Sequence, residues 1–261
     1  MMKHTFVICA YKKSEYLEEC ICSILKQTIK SNVLISTSTD IPFIREMAKK
    51  YDIPLYVAEH KSDIAKDWNF AYKKANTKYV TIAHQDDIYD ADYAKTAISM
   101  LEKNKKPLIF FSDYYEIKNG MKVAVTKNLK IKRILLYPLR AKVLQSRKIV
   151  KRTALAFGNP ICCPAVTYVK ENLPEELFKQ GYKSNIDWEA WELLSRKNGS
   201  FVYHPKSLMG HRVHEQSTTT EIIGSNLRTL EDVEILKKFW PEKIAKAIGK
   251  VYKKSEESNN A

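Results

Sequence analysis

Along the first hundred positions, short apolar runs alternate with apolar stripes at helical spacing. TFVICAY (5–11) is a continuous apolar run of buried-strand length. Ser14 then stands where a helix cap belongs, and Leu17, Ile21, Ile24 and Leu25 fall on one helical face. The alternation continues with a strand over 32–37, a helix over 42–51 and a strand over 55–59. A helix over 64–75 aligns Ala65, Trp68 and Tyr72, a strand follows over 78–83, and a further helix covers 91–103. Strand and helix repeated four times predict an α/β domain with a mainly parallel central sheet flanked by helices.

Beyond residue 105 the pattern is less regular. Residues 108–125 read as a hairpin turning at Asn119-Gly120. Leu135, Leu136, Leu139, Val143 and Leu144 offer an apolar helix face, which Gly158-Asn159-Pro160 ends. A strand over 165–169, a helix over 185–199 closed by Gly199 and a short strand over 201–205 follow. A polar segment, 210–220, leads to a final helix in which Ile244, Ala247, Ile248 and Val251 share a face opposite lysines. The tail, SEESNNA, reads as disordered.

Composition narrows the class. The chain has 261 residues, enough for one large domain with a sizeable core. No run approaches the roughly 18 to 20 apolar residues of a membrane span. The opening MMKHTFVICAY lacks the apolar core of a secretion signal. The five cysteines include no CxxC pair, so they read as free thiols in a reducing cytoplasm rather than a zinc site.

The net charge of +14 is local. Residues 117–170 hold 13 Lys and Arg and no acid, while the rest of the chain carries 31 basic and 30 acidic residues. Such a stretch suits phosphates, an anionic membrane surface or nucleic acid, and a solvated, solubilising face also accounts for it. No helix-turn-helix, zinc or RNA-binding motif accompanies it, which argues against nucleic acid.

The segment TIAHQDDIYD (81–90) raises the chemical question. An apolar strand delivers two adjacent carboxylates, Asp86 and Asp87, whose mutual repulsion calls for something positive nearby. In parallel sheets ligands bind beyond the carboxyl ends of the strands, so Ala10, Tyr11, His84 and Gln85 are expected near a ligand. With only seven glycines there is no GxGxxG and no P-loop. Any nucleotide phosphate must therefore be held by side chains and by a metal, and carboxylates at a strand end hold Mg2+ or Mn2+ in that way. Solvated loop aspartates, with Asp87 or Asp90 capping the next helix, are the plainer alternative.

Three segments in order, FVICAYKKSEYLEECICSILKQT, YVTIAHQDDIYDADY and NIDWEAWELLSRKNGSFVYHPKSLMGHRVHEQSTT, resemble the family-2 glycosyltransferases of the GT-A fold. The resemblance spans roughly residues 4 to 220. It implies a Rossmann-like GT-A domain over 1–221, with a nucleotide-binding half (1–115) and an acceptor half (116–221). A C-terminal helix and tail over 222–261 would complete the chain. Tyr11 would stack near the base, Asp86 would be the main metal ligand, and Asp87 would position the loop. His84 stands where the family's first metal-binding Asp usually lies. Arg212 and His214 match an Arg-x-His pair near the diphosphate, with His214 a second metal ligand. Asp187 would be the general base, and Glu189 is the fallback. Asn69 is expected on the nucleotide side. Where the family often carries an Asp pair, this chain has Thr37 and Ser38, whose hydroxyls can bond a base or ribose.

The activity so implied is inverting, metal-dependent transfer of a sugar from a nucleotide sugar, a UDP-sugar foremost, to a saccharide or lipid-linked acceptor in bacterial surface polysaccharide assembly. The metal and Arg212 would neutralise the leaving diphosphate, and Asp187 would take the acceptor's proton. The basic stretch and the lysine-faced last helix would suit peripheral attachment at the inner face of the plasma membrane. The alternative is a non-catalytic anion-binding protein on a degenerate scaffold of the same fold.

Overall fold

A computed structural model describes residues 2–214 and 226–257 of the protein. Its first half follows the alternation read from the chain. The strands are β1 (His4–Ala10), β2 (Asn32–Thr37), β3 (Leu55–Val57) and β4 (Tyr79–His84). Between and after them come α1 (Leu17–Leu25), α2 (Pro42–Lys50), α3 (Ile64–Lys74) and α4 (Tyr93–Glu102). β1 and β4 are buried almost end to end because helices cover both faces of the sheet, which is why they read as unbroken apolar runs. α1 begins at Leu17 rather than beside Ser14, and Leu25 is exposed; Cys20 takes the core position instead.

The other strands are β5 (Ile88–Tyr89), β6 (Pro107–Lys118), β7 (Met121–Val123), β8 (Val166–Val169) and β9 (Ser200–Val213). They join one sheet in the order β3-β2-β1-β4-β8-β6-β9-β5, with β7 on β6. β3, β2, β1 and β4 are parallel, β8 runs antiparallel between β4 and β6, and β9 runs parallel to β6. Asn119 and Gly120 both take positive φ (50° and 75°), the turn that pairs β6 with β7 as expected.

Three expectations need correction. β9 has 14 residues, not five, and runs through the segment read as polar as far as Val213. A bulge hides its pattern: His204 pairs with Ser112 and Ser207 with Asp113, leaving Pro205 and Lys206 between them. The basic stretch forms no single helix face. It breaks into α5 (Lys127–Leu136), two 3₁₀ turns (137–140 and 142–144) and α6 (Lys148–Leu155), which bury Leu136 and Leu139 but leave Val143 outside.

The third correction concerns the C-terminal helices. α7 (Ile186–Ser195) is followed by α8 (Asn226–Leu236) and α9 (Glu242–Glu257). α9 buries Ala245, Gly249 and part of Ile248, a face rotated from the expected one, and exposes Ile244 and Val251. Packing on Val233 and Leu236 selects that face, because a Cβ on Gly249 would come within 2.9 Å of Val233. The helix runs to Glu257, three residues into the tail read as disordered; the remaining tail and the boundary at 221/222 lie outside the described residues.

The second half shares a core with these helices. Trp188, Trp191, Ile235, Leu236 and Ala245 are all fully buried in one cluster. Trp240 Nε1 donates to the Ala156 carbonyl at 2.7 Å and Arg152 Nη2 to that of Lys238 at 2.9 Å. Among the described residues no helix is long and apolar enough to cross a membrane.

Candidate active site

The parallel register aligns three strand ends. Cys9 pairs with Ser36 on one side and His84 on the other, so Ala10, Thr37 and His84 finish side by side. Over them opens a cleft of about 800 Å³. Ala10, Tyr11, Thr37, His84, Gln85, Asp86, Asp187, Arg212 and His214 all line it.

The turn after β4 is held from both sides. Gln85 Nε2 donates to the Tyr11 carbonyl at 2.8 Å, and the Tyr11 N–H donates to Gln85 Oε1 at 3.0 Å. Gln85 thus clamps the end of β1 to the turn and leaves the Tyr11 ring exposed at the cleft mouth. From Asp87 the chain passes into β5, which pairs Ile88 with Gly210 of β9. That pairing draws the end of β9 beneath the aspartates. Gly210 is required there: a Cβ would lie 2.5 Å from the Tyr115 ring and 2.8 Å from Ile117.

The result is a dense charge cluster. Asp87, fully buried, accepts at Oδ1 from the Arg212 N–H (2.9 Å) and faces His211 Nδ1 at 3.2 Å. Arg212 Nε donates to the Asp86 carbonyl at 2.9 Å, its Nη2 pairs with Glu19, and its guanidinium lies 4.2 Å from the centre of the Tyr16 ring. His214 Nε2 lies 2.9 Å from Asp86 Oδ2. Burial opposes ionisation of Asp86, but the His214 hydrogen bond and the fields of His84 and His211 outweigh it and hold the carboxyl below its ordinary value. Burial likewise opposes charging of His211, and the charge of Asp87 overcomes it, raising that imidazole above its ordinary value.

The positive groups that two adjacent carboxylates require are therefore Arg212 and His211 on β9, with the His214 ring just after it bonded to Asp86. One ligand atom each from His84, Asp86 and Asp87 lies within 4.8 Å of the others. Asp87 Oδ2 is buried without a hydrogen-bond partner, 4.0 Å from His84 Nδ1, as a carboxylate oxygen prepared for a cation would be. His84 is fixed by stacking on Trp68, with ring centres 5.2 Å apart.

Across the cleft, Asp187 lies in the first turn of α7. Its Oδ2 accepts from Asn159 Nδ2 at 2.8 Å and its Oδ1 from the Trp188 N–H at 2.7 Å. Burial raises its pKa above the ordinary aspartate value, and these hydrogen bonds only partly offset that. The loop before it is organised by Glu231 of α8. This one carboxylate accepts from the N–H groups of Lys183, Ser184 and Asn185 and from the Ser184 hydroxyl, at 2.6–3.1 Å.

Other expected residues sit elsewhere. Asn69 faces away from the cleft and holds a loop: Nδ2 donates to the Phe178 carbonyl, while Oδ1 accepts from the N–H groups of Leu177 and Phe178. The Ser38 hydroxyl donates to Asp67 Oδ2 at 2.9 Å instead of facing the cleft itself. Glu189 is buried and paired with Lys238 at 2.7 Å, and Trp188 and Trp191 are core.

Sequence reading missed Asp67, Lys132, Lys183 and Arg228, which also line the cleft. Asp67 Oδ1 is buried without a hydrogen-bond partner, and burial raises this carboxyl's pKa. A carboxylate on the β2 side of the cleft is thus supplied from α3, where the end of β2 carries only hydroxyls. The one available signal was its place beside Trp68 in the helix that follows β3.

Known proteins share the fold on which this cleft is built. The family model described as Glycosyl transferase family 2 matches residues 5–160. An uncharacterized glycosyltransferase of Haemophilus influenzae is 24% identical over 256 residues, covering 94% of this chain and 74% of the relative. The crystal structure of S. aureus TarS 1-349 in complex with UDP-GlcNAc superposes with a TM-score of 0.60 at 18% identity, over 95% of this chain and 70% of that one. The mannosyltransferase PcManGT from Pyrobaculum calidifontis, in complex with GDP-Man and Mn2+, gives 0.64 at 13% identity, over 95% and 73%. The shared fold is the GT-A type, its central sheet carrying both parallel and antiparallel strands.

Proposed function

The chain belongs to glycosyl transferase family 2 and is a glycosyl-transfer enzyme, and we propose that its donor is a nucleotide sugar, a UDP-sugar foremost. The acceptor is a saccharide or a lipid-linked saccharide, the product has inverted anomeric configuration, and the setting is cell-surface polysaccharide synthesis. The enzyme works in the cytoplasm, peripheral to the membrane when the acceptor is lipid-linked. The observation that supports this reading is a single cleft lined by Asp86, with Asp87 buried next to it, by basic groups and by a separate carboxylate, Asp187, from another element.

Asp86 and Asp87, with His84 and His214 beside them, are the residues that would hold a divalent cation. Two carboxylates mixed with imidazole suit Mn2+ better than Mg2+, whose preferred ligands are oxygens. When bound, such an ion supplies positive charge to the diphosphate of the donor. Lys12, Lys13, Lys132, Lys183, Arg212 and Arg228 line the same cleft and make it hospitable to an anion. Arg212 is held rigid by Asp86, Glu19 and Tyr16, so its charge needs little reorganisation when negative charge develops. Tyr11 offers an exposed ring to the base, and Asp67 and Thr37 offer polar groups on the same side.

Asp187 acts on the acceptor. Burial raises its pKa, which makes its ionised form a better proton acceptor than an exposed aspartate. It takes the proton of the acceptor hydroxyl as the new glycosidic bond forms and the bond to the diphosphate breaks. Attack from the side opposite the leaving group inverts the anomeric carbon.

The test is UDP release from UDP-glucose, UDP-galactose and UDP-N-acetylglucosamine with Mn2+, in the presence of a panel of saccharide acceptors. The reading requires at least one acceptor-dependent turnover whose product is the opposite anomer to the donor by NMR. Turnover only with GDP- or dTDP-sugars would replace the nucleotide, and a retained anomer would overturn the role of Asp187.

A further inference from the structure

The acid-free stretch also holds eight of the sixteen large hydrophobic side chains exposed among the described residues. Of its large exposed hydrophobics, Val143 (77%), Ile149 (75%), Ile134 (70%) and Tyr137 (66%) lie within 16 residues of one another. They sit on α5, the 3₁₀ turns and α6, short elements that pack on one another. Broken into pieces, this stretch cannot turn a whole apolar stripe inward. It buries Leu136, Leu139 and Leu155 and leaves the next set of aliphatic side chains in water.

The basic residues divide in the same way. Lys132, Arg133, Lys151 and Arg152 are committed to Tyr114, Asp113, backbone carbonyls and Glu192. Lys127, Lys130, Arg140, Lys142, Arg147 and Lys148 are exposed, and none pairs with a carboxylate among the described residues. Arg133, Ile134, Tyr137, Pro138 and Arg140 together line a shallow pocket of about 300 Å³. Ile134, Tyr137 and Pro138 give it apolar surface and Arg140, which pairs with no carboxylate among the described residues, gives it an available guanidinium, a match for a lipid phosphate above the start of an acyl chain.

We propose that α5, the 3₁₀ turns and α6 form a docking face for an anionic lipid bilayer, with Ile134, Tyr137, Val143 and Ile149 inserted among headgroups ringed by Arg140, Lys142 and Lys148. Charge complementarity selects this partner. A second copy of the chain would set one acid-free face against another, since a two-fold interface uses the same patch twice. Nucleic acid would find a single aromatic ring, Tyr137, among the aliphatic side chains Ile134, Val143 and Ile149, where a single-strand binder offers successive aromatic platforms. α5 joins the face to the cleft, because Asn128 and Lys132 on the same helix line the cleft. A lipid-linked acceptor would thus meet the enzyme beside Asp187's side of the site. The proposal gives the peripheral location suggested above a particular surface, and it holds or fails independently of the nucleotide.

The test is flotation of the full-length protein with vesicles of phosphatidylcholine alone and of phosphatidylcholine mixed with phosphatidylglycerol. The expected result is binding to the anionic vesicles only. Arg140→Glu/Lys142→Glu/Lys148→Glu should weaken it by about 100-fold or more, each basic group at such a surface being worth about five-fold. Ile134→Ser/Val143→Ser/Ile149→Ser should weaken it by about ten-fold or more, because apolar insertion adds to the attraction. All six positions are exposed, so both variants should keep the wild-type melting temperature and confirm that folding is intact. Equal flotation with neutral vesicles, no flotation, or wild-type flotation by both variants would overturn the proposal. So would a wild-type dimer that the serine variant dissociates, or binding of single-stranded oligonucleotides in preference to the anionic vesicles.

Discussion

Asp187 and Asp67 show how burial sets the behaviour of single carboxylates in this cleft. Both are pushed above the ordinary aspartate pKa of 3.8 by desolvation, and both face the cleft. For Asp187 the ionised form is the active one, so kcat/KM should rise with pH through a pKa above 3.8; a pH–rate profile measures it. Asp187→Asn should lower turnover by about 10²–10⁴-fold, the usual worth of a general base, with UDP affinity nearly unchanged by calorimetry. Asp67→Ala should do the reverse, weakening UDP about ten-fold, the lower end of a charged hydrogen bond, while kcat holds. Asp86, Arg212 and His214 stood out in the sequence because they fall in recognisable segments. Asp67 did not, since an acid near the start of an amphipathic helix reads as ordinary dipole complementarity. Asn69 was misplaced for a related reason: proximity to Trp68 along the chain says nothing of which way a helical side chain points, and Asn69 holds the 177–178 loop instead.

At the scale of elements, the site depends on two that give little sign in the sequence. β5 is only two residues long, and β9 is interrupted by its bulge, yet their pairing carries Arg212 to the aspartates. Period-two patterning fails when a strand is too short to show a period or has two residues inserted into it. The buried strands β1 and β4 and the turn at Asn119-Gly120, by contrast, were legible because composition and length agreed. α8 contributes through one carboxylate. Glu231→Ala would leave the donors of residues 183–185 unsatisfied and should cost at least about 3 kcal/mol of stability by denaturant melt. Because that loop leads directly into α7, turnover should fall more than UDP affinity, and Glu231→Gln should recover part of both losses.

On the scale of the whole molecule, one sheet joins the parallel strands of the first half to the mixed strands of the second. The alternation of strands and helices made the first half readable, because each crossover places the next parallel strand beside the last. It did not reveal that β8 would enter the sheet antiparallel between β4 and β6, since strand order is set by packing between distant segments. Nor did periodicity choose the buried face of α9, which is fixed by the fit of Gly249 against α8. The basic excess, visible in composition, acquires meaning only when the fold leaves aliphatic side chains exposed among those charges. The central claim is that Asp86 and Asp87 hold a divalent ion against a nucleoside diphosphate. Calorimetric titration of UDP into wild type and Asp86→Ala, with and without Mn2+, tests it most directly. The account predicts binding by the wild type that strengthens at least about ten-fold with Mn2+, and no such gain in the variant. Mn2+-independent binding of equal strength in both proteins would contradict it.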